Sequence, residues 1–510
     1  MPGKRIAVIG AGVSGLGAIK ICLEEGLEPT CFEGTNDIGG LWRYQETTSG
    51  RASIYKSATS NTLKEMTTYH DYPSPDYFPN YLHNSRIMEY LRRYAQHFDL
   101  TKHIRFLSKV DSMRKRSDFS CTDILVETTG KQESYVFDGI MVCSSLYTGP
   151  ILPLQNFPGI NRFKGQYIHS CEYRSPEKFQ GKKIIVVGIG NSGADLAIEL
   201  SHVASQVYLS TRRGAWIWNR VWDNGMPMDT VLFTHFKTIL NKFYPTFLIN
   251  RWAENKLNAR FNHDVYGLLP KHRLLTHQAT CGDDLPNHII SGRVLIKSDV
   301  REFTETSAIF GDGTEEDVDV VIFATGYTSS FPFLENNATV LDSQHSMFKF
   351  VFPPQLEKPT LAFIGILQPV GATIPTSELQ RLNKLPSVSG MMADIRQKRK
   401  KFEKEFLNNP RDTCRVQYVE YMDEIASEIG AKPNLPSIFL WDPKLAVEIF
   451  FGPCTPYQYR LAILTQRERI IKPLRTRTLI CDQPPSSVPF WLKSNRLLIH
   501  RLFQVLLRVF

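Results

Sequence analysis

Two glycine-spaced hexapeptides carry the clearest chemistry in this 510-residue chain: Gly10-Ala11-Gly12-Val13-Ser14-Gly15 and Gly188-Ile189-Gly190-Asn191-Ser192-Gly193. In each, the first glycine permits a tight turn. The second lets the backbone approach a diphosphate, and the third permits close packing of a helix on a strand. A helix starting there offers unpaired N–H groups and the positive end of its dipole to phosphate oxygens. Read alone, such a hexapeptide is weak evidence, and a glycine-rich structural turn is the alternative. The residues downstream of the two motifs differ. Eighteen residues after Gly15 stands Glu33, placed to accept hydrogen bonds from a ribose. The strand after the second motif ends in Ser210-Thr211-Arg212-Arg213, with no acid. An arginine there can pair with a 2′-phosphate, so Arg212 is the candidate that selects NADPH over NADH. A solvated basic turn is the plainer alternative.

The elements that must hold these turns are legible around them. Lys4-Arg5-Ile6-Ala7-Val8-Ile9 reads as a buried parallel strand, residues 14–25 as a helix and 29–33 as a second strand. Lys182-Lys183-Ile184-Ile185-Val186-Val187 repeats the grammar, with a helix over 192–201 and a strand over 206–210. The expected fold is α/β, with two dinucleotide-binding, Rossmann-like domains, one inserted in the other. The expected bounds are 1–164 and 327–480 for the outer domain, 165–326 for the inserted one, and 481–510 for a C-terminal segment. Residues 67–80, rich in Tyr, Pro and Asp, read as a loop, and 85–98 as an amphipathic helix.

Two dinucleotide sites in one chain point to electron transfer between them, from NADPH to FAD and onward. Candidates for FAD are Gly10, Ala11, Gly12, Val13, Ser14, Gly15 and Glu33, with Leu41 and Trp42 of Gly39-Gly40-Leu41-Trp42 beside the flavin. Candidates for NADPH are Gly188, Gly190, Ser192, Gly193, Ala194, Asp195 and Arg212. The final acceptor decides the function. None of the nine cysteines forms a CxxC pair, so no dithiol serves a disulfide reductase. No Cys or His cluster suits iron–sulfur or haem, and no metal site is expected. Molecular oxygen remains. The formal charge of +9 suits anionic cofactors or lipid, and its dispersal argues against nucleic acid. An odd cysteine count without a secretory signal leads us to expect a reducing compartment.

Further residues carry a family resemblance. Phe163, Gly165, His169 and Tyr173 fit the FxGxxxHxxxY fingerprint of flavin-containing monooxygenases. Ala324-Thr325-Gly326-Tyr327, Ser60-Asn61-Thr62 and Gly452-Pro453-Cys454-Thr455-Pro456-Tyr457 also follow that family over nearly the whole chain. The chain most resembles the dimethylaniline monooxygenase (N-oxide-forming) group. The resemblance implies that NADPH reduces FAD, that oxygen adds to give a C4a-hydroperoxyflavin, and that bound NADP⁺ shields it from water. A tertiary amine nitrogen or thioether sulfur of a small molecule would then take the distal oxygen. Ser60 and Asn61 would touch NADP⁺, Asn61 and Thr62 the flavin, with Asn61 as the catalytic hydrogen-bonding group. A turn-forming Asn is the alternative. Baeyer–Villiger relatives usually carry Trp in place of Tyr173, which favours heteroatom oxygenation here. For His169, a structural role at the linker outweighs that of a catalytic base.

Departures from the family pattern bear on activity. The stretch between Phe119 and Gly130 is abbreviated, residues are short after Gln380 and after Leu461, and Ser144-Ser145-Leu146-Tyr147-Thr148-Gly149 replaces a glycine and two histidines. Such gaps leave open an NADPH oxidase that releases hydrogen peroxide, or a paralogue that does not turn over. Residues 490–510 place Leu498, Leu502, Val505, Leu506 and Val509 on one helical face and His500, Arg501, Gln504 and Arg508 on the other. That pattern predicts an interfacial amphipathic helix in lipid, on the cytosolic face of the endoplasmic reticulum membrane, as the resemblance implies. The same face would also serve a helix docked on its own protein or on a partner in a homo-oligomer.

Overall fold

The computed structural model describes residues 3–47, 52–115, 122–128, 130–144, 146–334, 347–356, 358–380, 385–405 and 414–461. The segment 490–510, and with it the expected amphipathic helix, lies outside them.

The apolar run before the first glycine turn forms strand Arg5–Ile9, central in a five-stranded parallel sheet. Its neighbours are Glu28–Phe32 and Gly139–Val142, with Ile104–Arg105 and Leu361–Phe363 at the edges. A strand with Ala7 and Val8 fully buried needs cover on both faces. Helix Val13–Glu24 covers one face through Leu16 and Ile19. A three-stranded antiparallel meander covers the other, packing Val110, Ile124, Val126 and Phe137 on Ile9 and Phe363. Each such apolar side chain contributes about 1.5–3 kcal/mol on burial. The meander spans the abbreviated stretch. Its strand Thr122–Thr128 pairs with Lys131–Phe137 without a break in register, so the shortening leaves the described pairing intact.

The second sheet repeats the plan. Five parallel strands run in the order Gln166–His169, Val320–Phe323, Lys183–Val187, Gln206–Ser210 and Val294–Lys297. Helix Asn191–Leu200 packs on one face, and a meander carrying Phe303, Ala308 and Phe310 on the other. This sheet is built wholly from residues between Gln166 and Phe323. Where the chain leaves and rejoins the first unit, Gly149–Pro150 pairs with Tyr327–Thr328. Among the described residues, no helix is long and apolar enough to cross a membrane.

Residues 67–80 hold more than a loop's composition suggests. Lys20, 3 % exposed on the first helix, meets the Asp71 carboxylate and, at 2.8 Å, Glu24. His70 Nδ1 lies 2.7 Å from Glu378 Oε1, and the His70 N–H donates to Glu378 Oε2 at 2.7 Å. Burial raises the cost of the Asp71 charge, but His70 and Lys20 outweigh it and hold the carboxyl below its usual value. Buried charges persist only when paired in this way.

Candidate active site

The two glycine turns have the same geometry. Gly10 and Gly188 sit at φ +99° and +108°, where side chains are strained. A Cβ on Gly15 would lie 1.9 Å from the Gly10 carbonyl oxygen, and one on Gly193 1.9 Å from that of Gly188. The third glycine of each motif therefore lets the helix rest directly on its turn. Neither helix has a side-chain cap at its start or an acid in its first turn, so the leading N–H groups stay open to an anion. The space before Gly190 is open, with nothing within 4 Å of an added Cβ.

One cavity of about 1050 Å³ reaches both turns. It is lined by Gly10, Gly12, Val13 and Ser14 of the first motif and by Asn191, Ser192 and Asp195 at the second. Ala11, Gly15, Gly193 and Ala194 are buried and form the floor of the turns. Gly188 and Gly190 carry the second turn but do not line the cavity. Glu33 directly follows strand Glu28–Phe32, is buried, and lines the cavity. One of its oxygens accepts from Ala11 N at 2.8 Å, the other from Thr35 N at 2.9 Å. Leu41 and Trp42 lie on the short helix Gly40–Trp42 in the same wall. Open helix ends, side-chain-free approaches and a buried acid beside the first turn fit a diphosphate-linked dinucleotide at each motif.

Ser60, Asn61 and Thr62 share strand Thr59–Leu63 and all line the cavity. Ser60 Oγ accepts from Leu82 N at 2.8 Å, and the Thr62 and Thr67 hydroxyls meet at 2.6 Å. The strand is held from the second unit as well. The buried carboxylate of Asp229, pushed up to about 6 by burial, accepts from Leu63 N at 2.7 Å. Tyr55 donates to Asp195, whose carboxyl burial also pushes up, and Ser57 donates to Glu199 at 2.8 Å. These contacts cross from the first unit to the helix of the second motif.

Arg212 stands apart from this constellation. It is exposed beyond strand Gln206–Ser210, outside the cavity wall, and its charge acts on Asp299. His169 is buried beside the linker. Its Nδ1 accepts from Cys171 N at 3.1 Å, its Nε2 lies 3.1 Å from Gly326 O, and burial holds the ring below its usual pKa. With Nδ1 accepting, the neutral ring carries its proton on Nε2 and donates it to the Gly326 carbonyl, so both nitrogens are engaged in a structural bridge.

Sequence reasoning missed Arg220, Asp283 and Gly365. Arg220 Nη2 donates to Asn61 Oδ1 at 2.7 Å, and Nη1 lies 3.3 Å from Asp283. A Cβ on Gly365 would meet Ser14 Oγ at 2.1 Å. None of these residues stands at motif spacing. Only the strained φ of +77° at Gly365 is of a kind that a glycine hints at.

The sequence model of the family described as "Flavin-binding monooxygenase-like" matches residues 3–510. The chain is 54% identical over 502 residues to "Flavin-containing monooxygenase 5" of Oryctolagus cuniculus, covering 94% of each chain. It is 49% identical to "Dimethylaniline monooxygenase [N-oxide-forming] 2" of Mus musculus, covering 93% of this chain and 94% of that one. Among solved structures, S-allyl-L-cysteine S-oxygenase from Allium sativum superposes with a TM-score of 0.64 at 21% identity, over 93% and 98% of the two chains. An open form of cyclohexanone monooxygenase does so at 0.61 and 16%, over 84% and 98%. Both support the fold. With its paired turns and its match to full-length relatives, the chain belongs to the flavin-binding monooxygenase-like family and is a flavin monooxygenase that works with FAD and NADPH.

Proposed function

We propose that this monooxygenase places oxygen on the nitrogen or sulfur of small amines and thioethers. Held at the first turn, FAD would supply electron transfer from NADPH and the activation of oxygen. The chain's own residues bind, orient and exclude water. The open N–H groups of helix Val13–Glu24 and the approach at Gly12 would take the FAD diphosphate, and Glu33 its ribose. Helix Asn191–Leu200, with Ser192 and Asp195, would take NADPH, and Arg212 its 2′-phosphate from outside the wall. In this reading residues 1–164 and 327–480 serve FAD and 165–326 serve NADPH. In the cavity that reaches both turns, Ser60, Asn61 and Thr62 would face both cofactors, and Asn61 would hydrogen-bond the reacting centre.

The observation that carries this reading is the single cavity reaching both turns. Its walls include Trp42, Leu146, Tyr147, Trp218, Phe233 and Leu367, which offer apolar surface to the carbon groups of small amines and thioethers. A relative at 49% identity bears the name N-oxide-forming, which points to nitrogen. The test is to purify the chain, assay its FAD, and supply NADPH with a tertiary amine or a thioether. N-oxide or sulfoxide should form in step with NADPH consumption. A flavin-loaded chain that turns all its NADPH into hydrogen peroxide would defeat the reading.

We place the chain at the cytosolic face of the endoplasmic reticulum membrane. The composition of 490–510 supports contact with a lipid surface, as does the junction between helices His235–Phe243 and Thr246–Asn258. Phe243 is 80% exposed there and Phe247 60%, flanked by Lys242 and Arg251, which suits an anionic lipid surface. Truncation before Phe490 combined with Phe243→Glu should release the protein from anionic vesicles. Unchanged sedimentation would place the contact elsewhere.

A further inference from the structure

We propose that Arg220 is a positioning residue that fixes which end of the Asn61 amide faces the cavity. The inference rests on the reading of Asn61 as the hydrogen-bonding group beside the reacting centre. Arg220 Nη2 lies 2.7 Å from Asn61 Oδ1. A guanidinium has five N–H donors and no acceptor. Of the two ends of the amide, only the oxygen can meet it. The Asn61 Nδ2, which has no protein partner among the described residues, is thereby turned away from Arg220, on a residue that lines the cavity. The site then presents two N–H donors to the reacting centre and no carbonyl. Donors favour negative charge developing on an oxygen or a flavin; an acceptor would oppose it.

Arg220 is itself held from several directions. Its backbone N–H donates to Asp283 Oδ2 at 3.2 Å, and the next residue, Val221, donates to Oδ1 at 3.3 Å. Its guanidinium reaches Asp283 at 3.3 Å. The Tyr81 hydroxyl donates to the Arg220 carbonyl at 2.6 Å, and Tyr81 pairs with Leu63, two residues beyond Asn61 on the same strand. Asp283 and Arg220 come from the unit of the second glycine turn, whereas Asn61 comes from that of the first. The terminal torsion of an asparagine is broad and two-fold, so it is the Arg220 contact that selects the donor-forward state. Lysine would keep the charge but not the fork that spans Asn61 and Asp283 together.

The test compares the FAD-loaded full chain with Arg220→Met, Arg220→Lys, Asn61→Ala and the double variant Arg220→Met/Asn61→Ala. Two readouts are taken: the visible absorption of the resting oxidised flavin, and the fraction of consumed NADPH recovered as hydrogen peroxide. Arg220→Met should shift the absorption in the direction Asn61→Ala does and raise the peroxide-to-product ratio about tenfold, the effect of losing one charge-assisted hydrogen bond. Arg220→Lys should fall between. On the Asn61→Ala background, Arg220→Met should add nothing to either readout. If it adds the same factor on both backgrounds, Arg220 acts independently of Asn61 and the proposal fails. It also fails if Arg220→Met and Arg220→Lys both lose FAD, because the arginine is then structural. A native chain that forms no oxygenated product defeats the proposed function instead, while the absorption comparison still reads the orientation of Asn61.

Discussion

His169 Nε2 lies 3.1 Å from the carbonyl oxygen of Gly326, joining the strand that opens the second sheet to the segment through which the chain leaves it. That contact ties the neck of the inserted unit with a neutral ring. Burial keeps its folded pKa below the ordinary 6.5, so below that pH the unfolded chain binds more protons than the folded one. The stability gained is present above pH 6.5 and is lost as pH falls toward the depressed value. His169→Gln keeps a donor for Gly326 and does not titrate. Urea unfolding at pH 7.5 and 5.5 should show a smaller loss on acidification in this variant than in the native chain. Equal losses would show that His169 does not carry the pH dependence.

The glycines of the two motifs should fail in different ways. Gly15→Ala places a Cβ 1.9 Å from a backbone oxygen and should yield little folded, FAD-bearing protein. Gly190→Ala meets nothing within 4 Å and sits at an ordinary φ of −73°, so folding and FAD content should be unchanged. If the NADPH diphosphate rests against this turn, the added methyl meets it, and KM for NADPH should rise about tenfold. Steady-state kinetics beside a flavin assay separates the two outcomes. An unchanged KM would mean that the second turn does not hold the coenzyme.

Coenzyme choice tests the residue that the cavity leaves outside. Arg212→Ala should narrow the preference for NADPH over NADH about tenfold, the scale of one charged hydrogen bond. The ratio of kcat/KM for the two coenzymes measures it. A constant ratio would assign the 2′-phosphate to another group.

The buried charges below the first helix should matter to stability more than to chemistry. Asp71→Asn leaves Lys20, 3 % exposed, without its closest anion and should cost about 3 kcal/mol of unfolding free energy. In the native chain the depressed carboxyl of Asp71 stabilises above its ordinary value of 3.8, and the gain is lost as acid titrates it through its folded value. Denaturant unfolding of both proteins near neutral pH checks the size of the effect, and a change below 1 kcal/mol would show that the ions are solvated.

Much of this site is legible in the chain itself, because its parts are local. Gly10 and Gly15 are five residues apart; the first needs a positive φ and the second has no room for a Cβ beside the Gly10 carbonyl, so their spacing records a helix resting on a turn. Strand 206–210 is legible from its alternation with the helix before it. The helix expected over 192–201 starts one residue earlier, at an end where a backbone N–H carries no sequence mark. Arg220 and Asn61 are 159 residues apart, and their hydrogen bond exists only once the two units meet. His70 and Asp71 fall in a stretch whose Tyr, Pro and Asp content reads as solvent-facing. Their burial depends on Lys20 and Glu378, from two other helices. Composition records what a segment prefers, and long-range pairing decides where a charge can be kept.

The most direct test of the central claim is turnover under ¹⁸O₂ with NADPH and a thioether, with mass spectrometry of the product. One labelled oxygen should appear in the sulfoxide, with one product molecule for each NADPH consumed and FAD retained by the chain. Sulfoxide lacking the label, or full NADPH consumption with no sulfoxide and no N-oxide from a parallel amine, would contradict that claim.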